Sequence, residues 1–327
     1  MSDYGFAPEA CDVVRKDRLI LYRAKRSEWL RLLDEDPIHS ISQQLSAMQW
    51  NDVVYRCFNE ARRLAPRQTP TAAVAPILGE FLDVGYLSTQ VLAISKLVER
   101  NASKPQKTII SIRRLVDDLI DHRSLLTREI FVCNDGLPYD PMPARERFYS
   151  ALMSTPGPKV GWASTTGPEA WGITQRMHAL FDRLSGVAAA DRSRDDLIQV
   201  TVFDALSAGL DDPSIKGLLQ LRHKLIAHAA DAENRPDNLV HASLNQIEAA
   251  QRILVKIAHT VGGTILYGNG AGGLPTPQFD QFEHLDQPFV RPTDVEKLRT
   301  YWNEQSGVRD KWLQHADAEI IEGKRPT

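Results

Sequence analysis

Apolar residues recur at three- and four-residue spacing in stretch after stretch of this chain, and no series of segments alternates apolar and polar in twos. A period near 3.6 gathers such residues on one stripe of a helix, whereas a half-buried strand needs a period of two. Ile41, Leu45 and Met48, then Val54, Cys57, Phe58, Ala61 and Leu64, mark a helix over 41–65, which Pro66 and Pro70 end. Ile77, Phe81, Val84, Val91 and Val98 mark a second over 77–98, closed by the polar run Asn101–Lys107. Ile109, Ile112, Val116 and Leu119 share a face in 108–131. The same pattern predicts helices near 170–184, 194–208, 213–230, 239–266 and 293–315. The fold class predicted is all-α: a helical bundle with extra helices and two long loops. Those loops are 154–168 and Gly268–Pro277, both rich in Gly and Pro, and Asn134–Pro138 reads as a turn.

With 327 residues and 43% hydrophobic content, the chain can bury a sizeable core. Its net charge of −3 gives no global attraction for nucleic acid or membrane, so a nucleic-acid site has to be a local patch. No stretch reads as a membrane span of roughly 20 apolar residues, and the N-terminus lacks the apolar run of a secretory signal. Cys11, Cys57 and Cys133 are odd in number and far apart, which suits a reducing cytoplasm. Phosphate-loop, dinucleotide-fingerprint, HExxH and GxSxG motifs are all missing. No metal or cofactor is therefore expected.

One segment carries chemistry: Leu221-Arg222-His223-Lys224-Leu225-Ile226-Ala227-His228-Ala229. On a helix, Ile215, Leu218, Leu219, Leu225, Ile226 and Ala229 form an apolar stripe with Arg222 in its middle. Arginine is rarely buried without a partner, so a cation there is unusual. His228 would lie about 120° round the helix from Arg222 and about 9 Å along it, near enough to serve one substrate. A neutral histidine can take a proton from a ribose 2′-OH or give one to a leaving 5′-oxygen. Arginine can hold phosphate oxygens as charge builds on them. Three other Arg–His pairs have similar spacing: Arg235–His241, Arg252–His259 and Arg309–His315. Pro236 interrupts the first, and the third competes on spacing alone.

The string RHKLIAH resembles the signature of the HEPN superfamily, in which arginine is followed by a polar residue and, after a few more, by histidine. Leu126-Thr127-Arg128-Glu129-Ile130-Phe131-Val132, leading into Asp135-Gly136-Leu137-Pro138-Tyr139-Asp140, is similar to the abortive-infection (AbiU-like) branch of that superfamily. The resemblance spans roughly residues 40–260. It implies a HEPN-like helical domain over 40–266, between an N-terminal helical extension (1–39) and a C-terminal loop and helix (267–327). It further implies a metal-independent endoribonuclease in antiphage defence or a toxin–antitoxin pair, acting as a homodimer with a composite site. Arg222 and His228 take the catalytic places and His223 a supporting one. The implied partners are RNA, a second copy of the chain, and an antitoxin or sensor subunit. Some HEPN domains are not nucleases, so the alternative is a non-catalytic helical module that binds RNA or protein.

Other polar clusters admit two readings each. Asp117, Asp118 and Asp121, beside His122 and Arg123, are a metal site or an ion-paired face. Arg113, Arg114, Arg123 and Arg128 are a basic stripe for RNA or a set of surface ion pairs. Trp162, Trp171, Trp302 and Trp312 stack on bases or pack in a core.

Overall fold

The structure is a computed structural model that describes residues 4–64, 76–100, 108–154, 156–157, 160–223, 242–268, 280, 283 and 291–314. The fold is all-α. Among the described residues the one β feature is an isolated antiparallel bridge between Thr127 and Leu197. Contacts divide the chain into two units, Met1–Pro275 and Thr276–Thr327.

The first unit runs α1 (Lys16–Leu30), α2 (Ile41–Leu64), α3 (Pro76–Val98), α4 (Ile112–Asp121), α5 (Arg128–Cys133), α6 (Met142–Ser154), α7 (Trp171–Ser185), α8 (Val200–Leu210), α9 (Pro213–Leu221) and α10 (Leu244–His259). Side-chain caps fix several starts: Ser111, Thr127 and Ser243 accept from the backbone N–H three residues on. Gly186, at φ 69°, ends α7 in the left-handed conformation that glycine adopts without steric penalty. The second unit holds α11 (Val295–Gln314) behind a short 3₁₀ turn.

α2 and α3 form an antiparallel hairpin. Gln90 donates to the carbonyl of Met48 at 3.1 Å, Tyr86 to Asp52, and Tyr55 to Asp83 at 2.7 Å. The Tyr55 and Tyr86 rings stack with centroids 3.7 Å apart. α10 lies against both helices, where Gln251 donates to Gln90 at 2.9 Å and Arg56 pairs with Glu248 at 3.2 Å. α1 belongs to the same core: Leu19, Tyr22 and Trp29 are buried, and Trp29 Nε1 donates to Asp118 at 2.6 Å. Fully burying one such large apolar side chain contributes about 1.5–3 kcal/mol. Cys11 and Cys133 are buried, Cys57 is half-buried, and all three are free thiols.

Several expectations need correction. Periodicity located α3, and its stripe enters the core only over the C-terminal half of the helix. Phe81 and Val84 are 72% and 59% exposed, whereas Val91, Ile94, Leu97 and Val98 fill the core. The stretch 108–131 is no single helix, because it breaks after Asp121 into a 3₁₀ turn and then α5. α6 was not anticipated, since Ala144 is its one buried residue and its apolar face is weak. α8 begins at Val200 rather than 194, and α10 at Leu244 rather than 239. Among the described residues, the stretch Leu78–Val98 of α3 is long and apolar enough in composition to cross a membrane. It packs against α2, α4, α9 and α10.

Candidate functional site

α9 is held at its start from three sides. Asp212 caps it by accepting from Ser214 N at 2.8 Å, and Pro213 occupies the first turn, where a missing N–H is harmless. The buried guanidinium of Arg113 on α4 reaches across to Asp211 at 2.7 Å and to the carbonyl of Leu210 at 2.9 Å. That contact holds the Asp211 carboxyl below the usual carboxylate range. Gln246 of α10 donates to the Ser214 carbonyl at 3.2 Å, and Gly217 lets the Gln246 side chain pass close to the α9 backbone.

From that anchor α9 buries Ile215, Leu218 and Leu221 against α3 and α10 and delivers Arg222 at its C-terminal cap. The helical path widens to a π turn over Arg222 and His223. Arg222 is half-buried and His223 exposed. Among the described residues no carboxylate or carbonyl pairs with the Arg222 guanidinium. His228, the proposed proton-transfer group, lies outside the described residues, as do Leu225, Ile226 and Ala229. Of the three sequence-predicted site residues, Arg222 and His223 are therefore placed side by side at the end of α9. Of the competing pairs, Arg252–His259 is described throughout: Arg252 donates to Glu248 at 2.7 Å, an exposed ion pair of little energetic weight.

The other buried arginines behave differently. Arg128 is fully buried at the start of α5. Its Nε donates to Asp196 at 2.7 Å, its Nη1 to Asp182 at 2.7 Å and to the His178 carbonyl at 3.3 Å, and its Nη2 to Ser185 at 3.1 Å. Four of its five donors are thus spent, and the plane lies 5.0 Å from the Phe181 ring centroid. Such a side chain cannot take a ligand. It is a clamp joining α5 to α7 and to the loop before α8. Beside it Glu129 accepts from Arg194 at 2.6 Å and from Val14 N at 3.1 Å. His178 Nε2 meets the Tyr139 carbonyl at 2.8 Å, and burial lowers the histidine's pKa from 6.5.

The proposed basic stripe is corrected by these positions. Arg113 and Arg128 are core residues, so the four arginines do not form one surface band. Sequence reasoning set Arg128 on the surface, in a basic stripe or an ion pair, although it stands between the apolar pairs Leu125-Leu126 and Ile130-Phe131, a setting like that of Arg222. The aspartate cluster is ion-paired. Asp118 takes Lys25 at 3.2 Å and His122 at 3.3 Å, and Asp117 lies 3.9 Å from Arg100. Among the described residues no group of three His, Cys, Asp or Glu side chains is arranged to hold a metal ion.

Comparison with protein-family models, with curated proteins and with solved structures finds no match to this chain.

Proposed function

We propose that this chain is a metal-independent endoribonuclease of the HEPN type, working in antiphage defence or beside an antitoxin in the cytoplasm. The supporting observation is the contrast among its arginines. Arg113 and Arg128 each have carboxylate partners, whereas half-buried Arg222 has none among the described residues. A guanidinium removed in part from water, at the end of a firmly anchored helix, is poised for an external anion. A π turn at that point suits the reading, since such turns are common at functional sites.

In the reaction proposed, the ribose 2′-oxygen attacks the adjacent phosphorus and the P–O5′ bond breaks. One histidine accepts the 2′ proton, and one donates a proton to the departing 5′-oxygen. Two copies of the chain around a two-fold axis would supply both. His228 takes the transfer role, Arg222 binds the phosphate oxygens, and His223 orients. The products are a 2′,3′-cyclic phosphate and a 5′-hydroxyl.

Purified protein incubated with mixed cellular RNA in EDTA, beside Arg222→Ala and His228→Ala, tests the reading. Cleavage by the wild type alone, leaving cyclic phosphate ends, is the expected result. Cleavage stopped by EDTA, or equal cleavage of a 2′-deoxy substrate, overturns the mechanism. No cleavage under any activation favours the non-catalytic RNA- or protein-binding module.

A further inference from the structure

Trp162 is 95% exposed, an unusual position for the largest side chain of all. Its loop is not adrift. Gly161 presses on α6, where a Cβ would sit 3.2 Å from Leu152 and 3.2 Å from the Phe148 ring. Ser164 closes the next turn by donating to the Thr166 carbonyl at 2.7 Å. The residue before Trp162 thus rests on Phe148, which belongs to an aromatic cluster on α6 and α7. Phe148, Tyr149 and Trp171 have ring centroids 5.4, 6.0 and 5.9 Å apart. Tyr149 and Met153 on α6 and Val160 in the loop are also exposed.

Arg145 supplies the charge. Its guanidinium lies 5.6 Å from the Tyr149 centroid and 5.9 Å from that of Trp171. Among the described residues the guanidinium's sole hydrogen-bond partner is Met142 Sδ, at 4.0 Å, and it pairs with no carboxylate. A planar cation near two rings, with no oxygen acceptor on its guanidinium among the described residues, suits a ligand that has both flat π-faces and negative charge. An apolar protein segment would satisfy the rings and leave the cation unmatched. Single-stranded nucleic acid satisfies both, because every base offers a π-face and every linkage an anion.

We propose that Trp162, Tyr149 and Arg145 form a stacking platform for single-stranded RNA, on α6 and the loop after it rather than at Arg222 on α9. The choice of RNA rests on the ribonuclease reading above, and the platform would hold substrate outside the cleavage centre. Double-stranded RNA keeps its bases stacked inside and offers no face to Trp162.

The test is fluorescence anisotropy of full-length protein with a labelled 2′-O-methyl oligouridylate, which cannot be cut by 2′-oxygen attack. The single strand should bind, and a 2′-O-methyl duplex at least about tenfold more weakly. Trp162→Ala should weaken single-strand binding roughly tenfold, and Trp162→Phe should restore most of it. Arg145→Ala should flatten the salt dependence by about one ion. Since Trp162 is almost wholly exposed, its replacement leaves the fold intact. Binding is read without any cleavage, so wild-type protein that fails the cleavage assay can still show Trp162-dependent binding, and the two readings fail separately. The proposal is overturned if the wild type binds no single strand, or if Trp162→Ala binds as tightly as wild type. It is equally overturned if that variant keeps its RNA affinity but loses an oligomeric state, which would make the surface a protein interface.

Discussion

Arg113 and Asp211 meet at 2.7 Å, and that pair ties α4 to the turn from which α9 rises. Because the Arg113 side chain is buried and the Asp211 side chain 44% exposed, the two ends are not equivalent. Asp211→Ala strands a buried cation that keeps one carbonyl partner. It should cost about 1–3 kcal/mol in urea unfolding. If the proposed site is right, it should also lower cleavage by misplacing Arg222. An unchanged midpoint would show that Leu210 and solvent suffice for Arg113.

Arg128→Met should be far more damaging. It removes the cation that Asp182 and Asp196 share in a buried setting, and breaking such a pair costs roughly 3–5 kcal/mol. Arg128→Lys should rescue little, since one ammonium cannot span Asp196, Asp182 and Ser185 with the fork geometry. Equilibrium denaturation of both variants checks this, and near-wild-type stability of the lysine variant would contradict it.

Acid should destabilise the protein in two windows. His178 is buried with Arg128 and Arg192 nearby and Asp182 opposing them, and its folded pKa lies below 6.5. Between that lower value and 6.5 the unfolded chain carries more protons, so stability falls as pH falls through the window. Asp182, held low chiefly by Arg192, and Asp211, held low by Arg113, contribute stability that is present above the ordinary carboxylate value. That stability disappears as pH drops through their folded values. Unfolding free energies from pH 7.5 to 5 should slope less steeply in His178→Gln than in wild type. Equal slopes would remove His178 from the account.

Gly136 takes φ 79° in the turn after α5, where a Cβ would sit 2.4 Å from the nearest atom of the Phe6 ring. Gly136→Ala combines left-handed backbone strain with overpacking and should cost about 2–4 kcal/mol. Thermal melting measures it, and a shift of less than a degree would show that Phe6 moves freely.

For the proposed nuclease, His228→Ala should lower the cleavage rate by about 10²–10⁴. Arg222→Ala should lower it by about 10²–10³. His223→Ala should do less, because an orienting neighbour does not itself transfer the proton. Arg309→Ala and His315→Ala should leave the rate unchanged. Single-turnover assays, with circular dichroism to confirm folding, separate these outcomes.

How far the chain could be read in advance follows from what each signal measures. Three- and four-residue spacing reports that a segment can be a helix, and α2, α3, α7, α9 and α10 followed from it. It cannot report where along a helix the apolar stripe leaves the core, as in α3, where Val91 and Val98 are buried but Phe81 and Val84 on the same stripe are exposed. α6 escaped because its contacts come from aromatic rings and Arg145 rather than from an apolar stripe. Arg222 was legible as a cation among apolar residues. Arg128 gave the same signal but serves the core, because its partners Asp182 and Asp196 lie more than fifty residues away in sequence and only folding brings them together.

The three free thiols turn the first unit into its own clock. Half-buried Cys57 on α2 is open to an alkylating reagent in the native state, while Cys133 is sealed and burial pushes its thiol up. Cys11 sits between them in kind: buried, yet on the N-terminal segment, where Arg23 donates to its sulfur at 3.1 Å. Labelling followed by mass spectrometry would therefore proceed in steps. Cys57 would modify first, Cys11 at the rate at which the leading segment lifts, and Cys133 only when the helices around α5 part. The gap between the last two rates measures how tightly that leading segment is bolted to the rest.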